Sequence, residues 1–130
     1  TQILVVDDDP IIGQLFTNIL APYKEFRVTL ASSGKAAIAI FSSQTFDMLF
    51  LDLVMPEMDG VEVLKHLRQI YPETPVAIIT GYPDSNLLVK VGQYSPCLTI
   101  FKPFLPSQII GAVKSIQASI AALKSSTAMD

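Results

Sequence analysis

Five short runs of Val, Ile, Leu and Phe, each followed by a stretch of helical periodicity, recur along the 130 residues. Apolar runs without polar alternation suit strands buried on both faces, as in parallel sheets covered by helices. The pattern predicts strands at residues 3–6, 26–31, 48–53, 76–79 and 97–101. Helices are expected over 10–20, 35–41, 60–70, a short 85–91, and from about 107 onward. Right-handed crossovers between such units give a three-layer, doubly wound α/β sheet. Sheets of this kind bind ligands beyond the carboxyl ends of their strands.

Local signals agree with this division. Pro10 suits a first helical turn, and Ile11, Leu15, Phe16 and Ile19 fall on one face of the helix it starts. Ser32 or Ser33 can cap the second helix. In the third, Val63, Leu64, Leu67 and Ile70 are expected inward, with Glu62, Lys65, His66 and Gln69 outward. Gly81, Pro83, Gly92 and Pro96 leave room for only a short fourth helix. The last helix carries Ile109, Val113, Ile116, Ile120 and Leu123 at helical spacing. Its first half is expected to cover the sheet. Beyond Ile120 it should outrun the sheet, so residues 120–130 read as a linker helix toward another module.

The length suits one domain spanning 1–130. Thr1 opens the chain without an initiator Met or a signal pattern, as in a piece of a longer polypeptide. A net charge of -3 and a pI near 5.0 disfavour direct contact with nucleic acid. No apolar run is long enough to span a bilayer, which argues against membrane insertion. The single cysteine, Cys97, has no intramolecular partner and reads as a small buried hydrophobe rather than a sensor. A cytoplasmic location is expected.

The strand ends are where polar chemistry collects. Asp7, Asp8 and Asp9 follow the first predicted strand, Asp52 closes the third, Thr80 the fourth, and Lys102 the fifth. Taken singly, each has an ordinary explanation: the aspartates as helix caps, Thr80 as a strand-end hydroxyl, Lys102 as a surface lysine lying along apolar neighbours. Glu57, Asp59 and Gly60 alone would mark a turn and a helix start. Their convergence on one crevice changes that. A carboxylate inside the apolar run at Asp52 is costly without partners, and crowded carboxylates require a neutralising cation. Oxygen-only ligands favour Mg²⁺, with Mn²⁺ as the alternative.

The segments ILVVDDDP, FLDLVMPEMDG, IITG and FKPF resemble, in order and spacing, the motifs of response-regulator receiver domains. The resemblance covers nearly the whole chain and implies a flavodoxin-like strand order 2-1-3-4-5. It implies that Asp52 accepts a phosphoryl group, that Asp7, Asp8, Asp52 and the Val54 backbone carbonyl hold the metal, and that Thr80 and Lys102 contact the phosphoryl oxygens. A cis Lys102-Pro103 bond is also implied. The expected function is a Mg²⁺-dependent switch that assists its own phosphorylation and dephosphorylation rather than an enzyme. Its partners would be a sensor histidine kinase or phosphotransfer protein upstream, and an output domain or downstream protein.

The chain departs from the family at Thr99, three residues before the lysine, where receivers usually carry an aromatic used in signal transmission. Tyr94 or Tyr82 is a candidate substitute. Val54 and Tyr82 would flank the path of an attacking water, and their bulk predicts slow loss of phosphate. Two other functions compete. One is a degenerate receiver acting as a phosphorylation-independent binding module. The other is an Asp-nucleophile phosphatase or phosphotransferase using the acids of Asp7-Asp8-Asp9.

Overall fold

A computed structural model describes residues 1–129, with side chains described through residue 124. Five strands, β1 (Gln2–Val6), β2 (Arg27–Ala31), β3 (Met48–Asp52), β4 (Val76–Thr80) and β5 (Leu98–Phe101), alternate with helices α1 (Pro10–Leu20), α2 (Gly34–Ser43), α3 (Gly60–Ile70), α4 (Asn86–Val91) and α5 (Pro106–Met129). A 3₁₀ turn, Gly92–Tyr94, follows α4. The strands are parallel and ordered β2-β1-β3-β4-β5, the expected doubly wound topology. β3 lies at the centre, so the one carboxylate inside a strand sits between two neighbours.

Alternation along the strands sends side chains into two cores. Ile3, Val5, Met48, Phe50, Ala77, Ile79 and Ile100 pack with α1 and α5. Leu4, Val6, Leu49, Leu51, Val76 and Ile78 pack with α2, α3 and α4. Every residue of β3 and β4 is buried, which explains why both runs lack polar alternation. Full burial of a side chain such as Phe50 contributes roughly 1.5–3 kcal/mol.

Helix starts follow local chemistry. Asp9 accepts the Ile11 N–H and precedes Pro10 at the first helical position, and Ser33, not Ser32, caps α2 through the Ala36 N–H. The buried face of α1 differs from the expected one. It consists of Ile12, Gly13, Phe16 and Leu20, whereas Ile11 is 66% and Leu15 41% exposed. With apolar pairs at 11–12, 15–16 and 19–20, the helix offers two overlapping stripes. The sheet takes the one that seats Phe16 against Phe50, ring centroids 4.9 Å apart. Ile70, the last residue of α3, is also exposed rather than inward.

Cys97 is exposed at the approach to edge strand β5, with its thiol donating to the Val76 carbonyl at 3.2 Å. Burial of the sulfur raises its pKa, which disfavours the reactive thiolate despite the residue's exposure. Along α5, Ile109, Val113 and Ile116 are buried and Ile120 partly so, while Leu123 is 70% exposed. The side chains of 125–130, most of the expected linker, lie outside the described residues. No helix among the described residues is long and apolar enough to cross a membrane.

Candidate functional site

The carboxyl ends of β1, β3, β4 and β5 converge on a cleft of about 720 Å³ whose walls include Asp8, Asp52, Val54, Gly81, Tyr82 and Lys102. The N–H of Asp7 donates to the Ala31 carbonyl at 3.1 Å, extending the β1–β2 ladder by one residue. Its carboxylate is buried, and Oδ1 accepts the Asp9 N–H at 2.9 Å. Asp8 is exposed, and Asp9 is occupied as the cap of α1. The three aspartates therefore face different environments.

Asp52 is 4% exposed at the end of β3. Burial, and next the negative charge of Asp7, push its pKa up to about 7. Lys102 and the Val54 N–H pull it down, while Asp8 adds to the rise. The Lys102 ammonium stands 2.7 Å from Asp7 Oδ2 and 3.6 Å from Asp52 Oδ2. Burial alone would lower the lysine's pKa, but its close approach to the Asp7 carboxylate and the charges of Asp52 and Asp7 outweigh this and raise it. Lys102 is the cation that holds the two buried acids together.

One ammonium does not saturate this set. Asp7 Oδ2 receives no well-directed hydrogen bond among the described residues, so its contact with Lys102 is one of charge and distance. Asp7, Asp8 and Asp52 each present an oxygen within 4.8 Å of the others. A small, hard divalent cation fits that donor set: oxygen ligands only, excess negative charge and an incompletely satisfied buried carboxylate.

Thr80 takes a different position from its expected partners. It is wholly buried, and its hydroxyl accepts the Tyr82 N–H at 3.0 Å instead of lining the cleft. It stays beside Lys102 through the backbone, since the Lys102 N–H donates to the Thr80 carbonyl at 2.8 Å. The Lys102-Pro103 bond is cis. Thr99 is exposed on β5, Tyr82 is exposed on the cleft wall, and Tyr94 packs partly buried against the core beneath α3.

Two residues were given too little weight by sequence reasoning. Gly60 reads as a helix start, yet a Cβ there would run into the Asp52 carbonyl oxygen and come within 2.8 Å of Leu53 Cα. The Gly60 N–H also donates to the Leu53 carbonyl at 2.8 Å, so this glycine holds the turn after β3 against the site. Because the obstacle is backbone, Gly60→Ala should cost about 1–3 kcal/mol in urea unfolding. A cost below about 0.5 kcal/mol would show that the turn relaxes freely. Arg68 is the other residue; a basic side chain in the last turn of a helix was its only sequence signal.

Comparison with known proteins agrees with this architecture. A family described as the response regulator receiver domain matches residues 3–114. The regulatory protein AtoC of Escherichia coli K12 is 30% identical over 103 residues, covering 79% of this chain and 22% of that protein. The transcriptional regulatory protein SrrA of Staphylococcus aureus is 30% identical over 115 residues, covering 88% of this chain and 47% of that protein. The chain thus spans between about a fifth and a half of the curated relatives it matches. Among solved structures, the chemotaxis protein CheY4 of Vibrio cholerae superposes with a TM-score of 0.82 at 25% identity, covering 89% of this chain and 98% of that one.

Proposed function

Since the chain belongs to the response regulator receiver domain family, we propose that it is a phosphoacceptor switch in which Asp52 takes a phosphoryl group from a phosphorylated histidine of a sensor kinase or phosphotransfer protein. The observation that carries this reading is the buried Asp52 carboxylate, set between two further acids and a lysine at the mouth of an open cleft. An Asp52 oxygen attacks phosphorus, the new O–P bond forms as the P–N bond breaks, and the electron pair leaves with the imidazole nitrogen. Mg²⁺, or Mn²⁺ in its place, would be held by the Asp7, Asp8 and Asp52 carboxylates and the Val54 carbonyl, and supplies positive charge against the carboxylate and phosphoryl oxygens.

The protein's own groups do the rest. Lys102 offers a fixed ammonium to a phosphoryl oxygen, and the Val54 N–H orients the attacking carboxylate. Thr80 is a further donor once its hydroxyl leaves the Tyr82 amide. We read the receiver as one unit over 1–130 that acts in the cytoplasm and passes its state to an output domain or downstream protein. A phosphatase reading is less well supported, because the Asp9 carboxylate it needs as acid and base is committed to capping α1.

Beside the cleft, Ile11 and Leu15 form an exposed apolar strip on successive turns of α1, and the Ile11 N–H is held by cleft residue Asp9. The histidine-bearing partner would dock there, since an apolar strip next to the acceptor positions a helix without adding charge. Val54 and Tyr82 crowd the cleft mouth, so replacing them by Asn and Ser together should speed loss of phosphate several-fold in a chase followed by mass spectrometry. An unchanged lifetime would show that they do not screen water.

Incubation with Mg²⁺ and a small acyl-phosphate donor tests the main reading. One phosphoryl mass should appear, and Asp52→Asn or a chelator should abolish it. No addition from any small donor or phosphorylated histidine protein would leave the chain as a binding module, and continuous release of phosphate from esters would make it an enzyme.

A further inference from the structure

Lys102 meets two acids at once, its ammonium 2.7 Å from Asp7 Oδ2 and 3.6 Å from Asp52 Oδ2. A lysine carries its charge on a flexible four-carbon stem, so this double contact depends on how firmly the chain around Lys102 is held. On one side the hold is the sheet. The Lys102 N–H donates to the Thr80 carbonyl at 2.8 Å, at the end of the β4–β5 ladder. Beyond it the ladder stops, and among the described residues no backbone hydrogen bond ties Pro103 or Phe104 to the sheet. Leu105 is tied forward into α5, its N–H donating to Gln108 Oε1 at 2.7 Å.

Residues 103–108 are exposed with one exception, the half-buried Phe104. Its side chain packs against the core that holds Val5, Ile12, Phe16 and Phe50, so it is the first point after the lysine at which the chain is fastened to the interior. The contact is a directed one. The Phe104 and Phe16 ring centroids lie 5.8 Å apart at an interplanar angle of 74°, an edge-to-face pair. Phe16 lies in turn 4.9 Å from Phe50, which stands two residues before Asp52 on β3. Three rings therefore join the loop that bears the lysine to the strand that bears the acceptor.

We propose that Phe104 is a positioning residue for Lys102: its seat on Phe16 fixes the loop so that one ammonium serves Asp7 and Asp52 together. A lysine on a loosened loop can still reach Asp7, the nearer acid, by changing rotamers. It then gives up the second contact, the one that places it beside an incoming phosphoryl group. This rests on the phosphoacceptor reading only for what Lys102 does in the reaction. The seat itself belongs to the unmodified chain.

Two measurements on the whole chain test it, and the first needs neither phosphate nor metal. Brief labelling with an acetylating reagent in the presence of a chelator, read by mass spectrometry, reports how open each lysine amine is; the Lys102 side chain is 23% exposed and paired, so it should label slowly in the parent. In Phe104→Leu, which keeps an apolar side chain and loses the ring edge, Lys102 should label several-fold faster while exposed Lys65 is unchanged. Phe104→Ala should go further where it folds. Ile116→Val loosens the same core from about three turns along α5 and should leave Lys102 at the parental rate. The second measurement is phosphorylation by Mg²⁺ and a small acyl phosphate. Its rate should fall about tenfold or more in Phe104→Leu, since a displacement of about an ångström is enough for such a loss. In a Lys102→Ala background the same change should cost nothing further, because no lysine is left to position.

Unchanged Lys102 labelling in the Phe104 variants would overturn the proposal. Equal acceleration in Ile116→Val would do so too, by showing general loosening of the core. Rate losses that multiply in the double variant would give Phe104 a role apart from the lysine, and faster labelling with an undiminished rate would show that the lysine moves without consequence; either result sinks the positioning role. A chain that takes no phosphoryl group at all would remove the phosphoacceptor reading, while the labelling would still decide whether Phe104 places the lysine.

Discussion

At about pH 8.5 in the presence of a chelator, Asp52→Asn should be more stable than the parent chain by about 2–4 kcal/mol in urea unfolding. Asp52 has a folded pKa of about 7 against an ordinary value of 3.8, first because it is buried and second because Asp7 is charged beside it. A carboxyl whose folded pKa is raised contributes most to stability below its unfolded pKa. That contribution is lost as the pH climbs through the folded value. The parent should therefore weaken between about pH 4 and pH 8, and the asparagine variant, which cannot ionise, should lack this part of the decline. Its advantage should shrink to little near pH 4. Mg²⁺ should then stabilise the parent in preference to the variant, narrowing the gap at high pH. A gain of the same size at pH 5 and pH 8.5 would mean that ionisation of Asp52 is not its cause.

The same electrostatic conflict made the site legible in the sequence. A carboxylate inside the apolar run at 48–53 violates the pattern around it, and only a cluster of partners explains its presence. The doubly wound class was legible for a related reason, whereas the strand order came only with the family resemblance. Strands buried on both faces need helices on both sides, and few connections between five such units are sterically allowed. Strand and helix positions consequently agree with expectation to within about two residues, a margin usual for element ends.

What escaped the sequence depends on contacts between distant segments. Periodicity shows that α1 has an apolar face but cannot choose between stripes one residue apart; the fit of Phe16 against Phe50 decides. Cys97 was expected in the core because a free cysteine behaves as a small hydrophobe, yet it lies at the approach to an edge strand, where an exposed position is compatible with a bonded thiol. Gly60 and Arg68 share a different reason. Each acts on backbone groups outside its own helix, the Asp52 carbonyl in one case and the Tyr94 and Ser95 carbonyls in the other, and backbone partners leave no trace in residue type.

The exposed stripe of α1 leads to the second large effect. Ile11→Gln with Leu15→Gln should reduce phosphoryl transfer by about 100-fold from any histidine phosphotransfer protein that phosphorylates the parent, and leave phosphorylation by a small acyl phosphate unchanged. Removing two apolar side chains from a docking surface forfeits roughly 1.5–3 kcal/mol for each one fully buried in the complex, and about 2.7 kcal/mol in total is a factor of 100. Folding should be little affected, since both residues are more than 40% exposed and glutamine is a good helix former. Glutamine also adds no charge beside a cleft that already holds Asp8, Asp9 and Asp52, so a loss cannot be assigned to repulsion of the incoming phosphate. The comparison of donors makes the result decisive. A small donor needs only the cleft, whereas in the proposed docking a protein donor also seats its helix against α1. Equal losses with both donors would place the damage in the cleft, and undiminished transfer from the protein would move the docking surface away from α1.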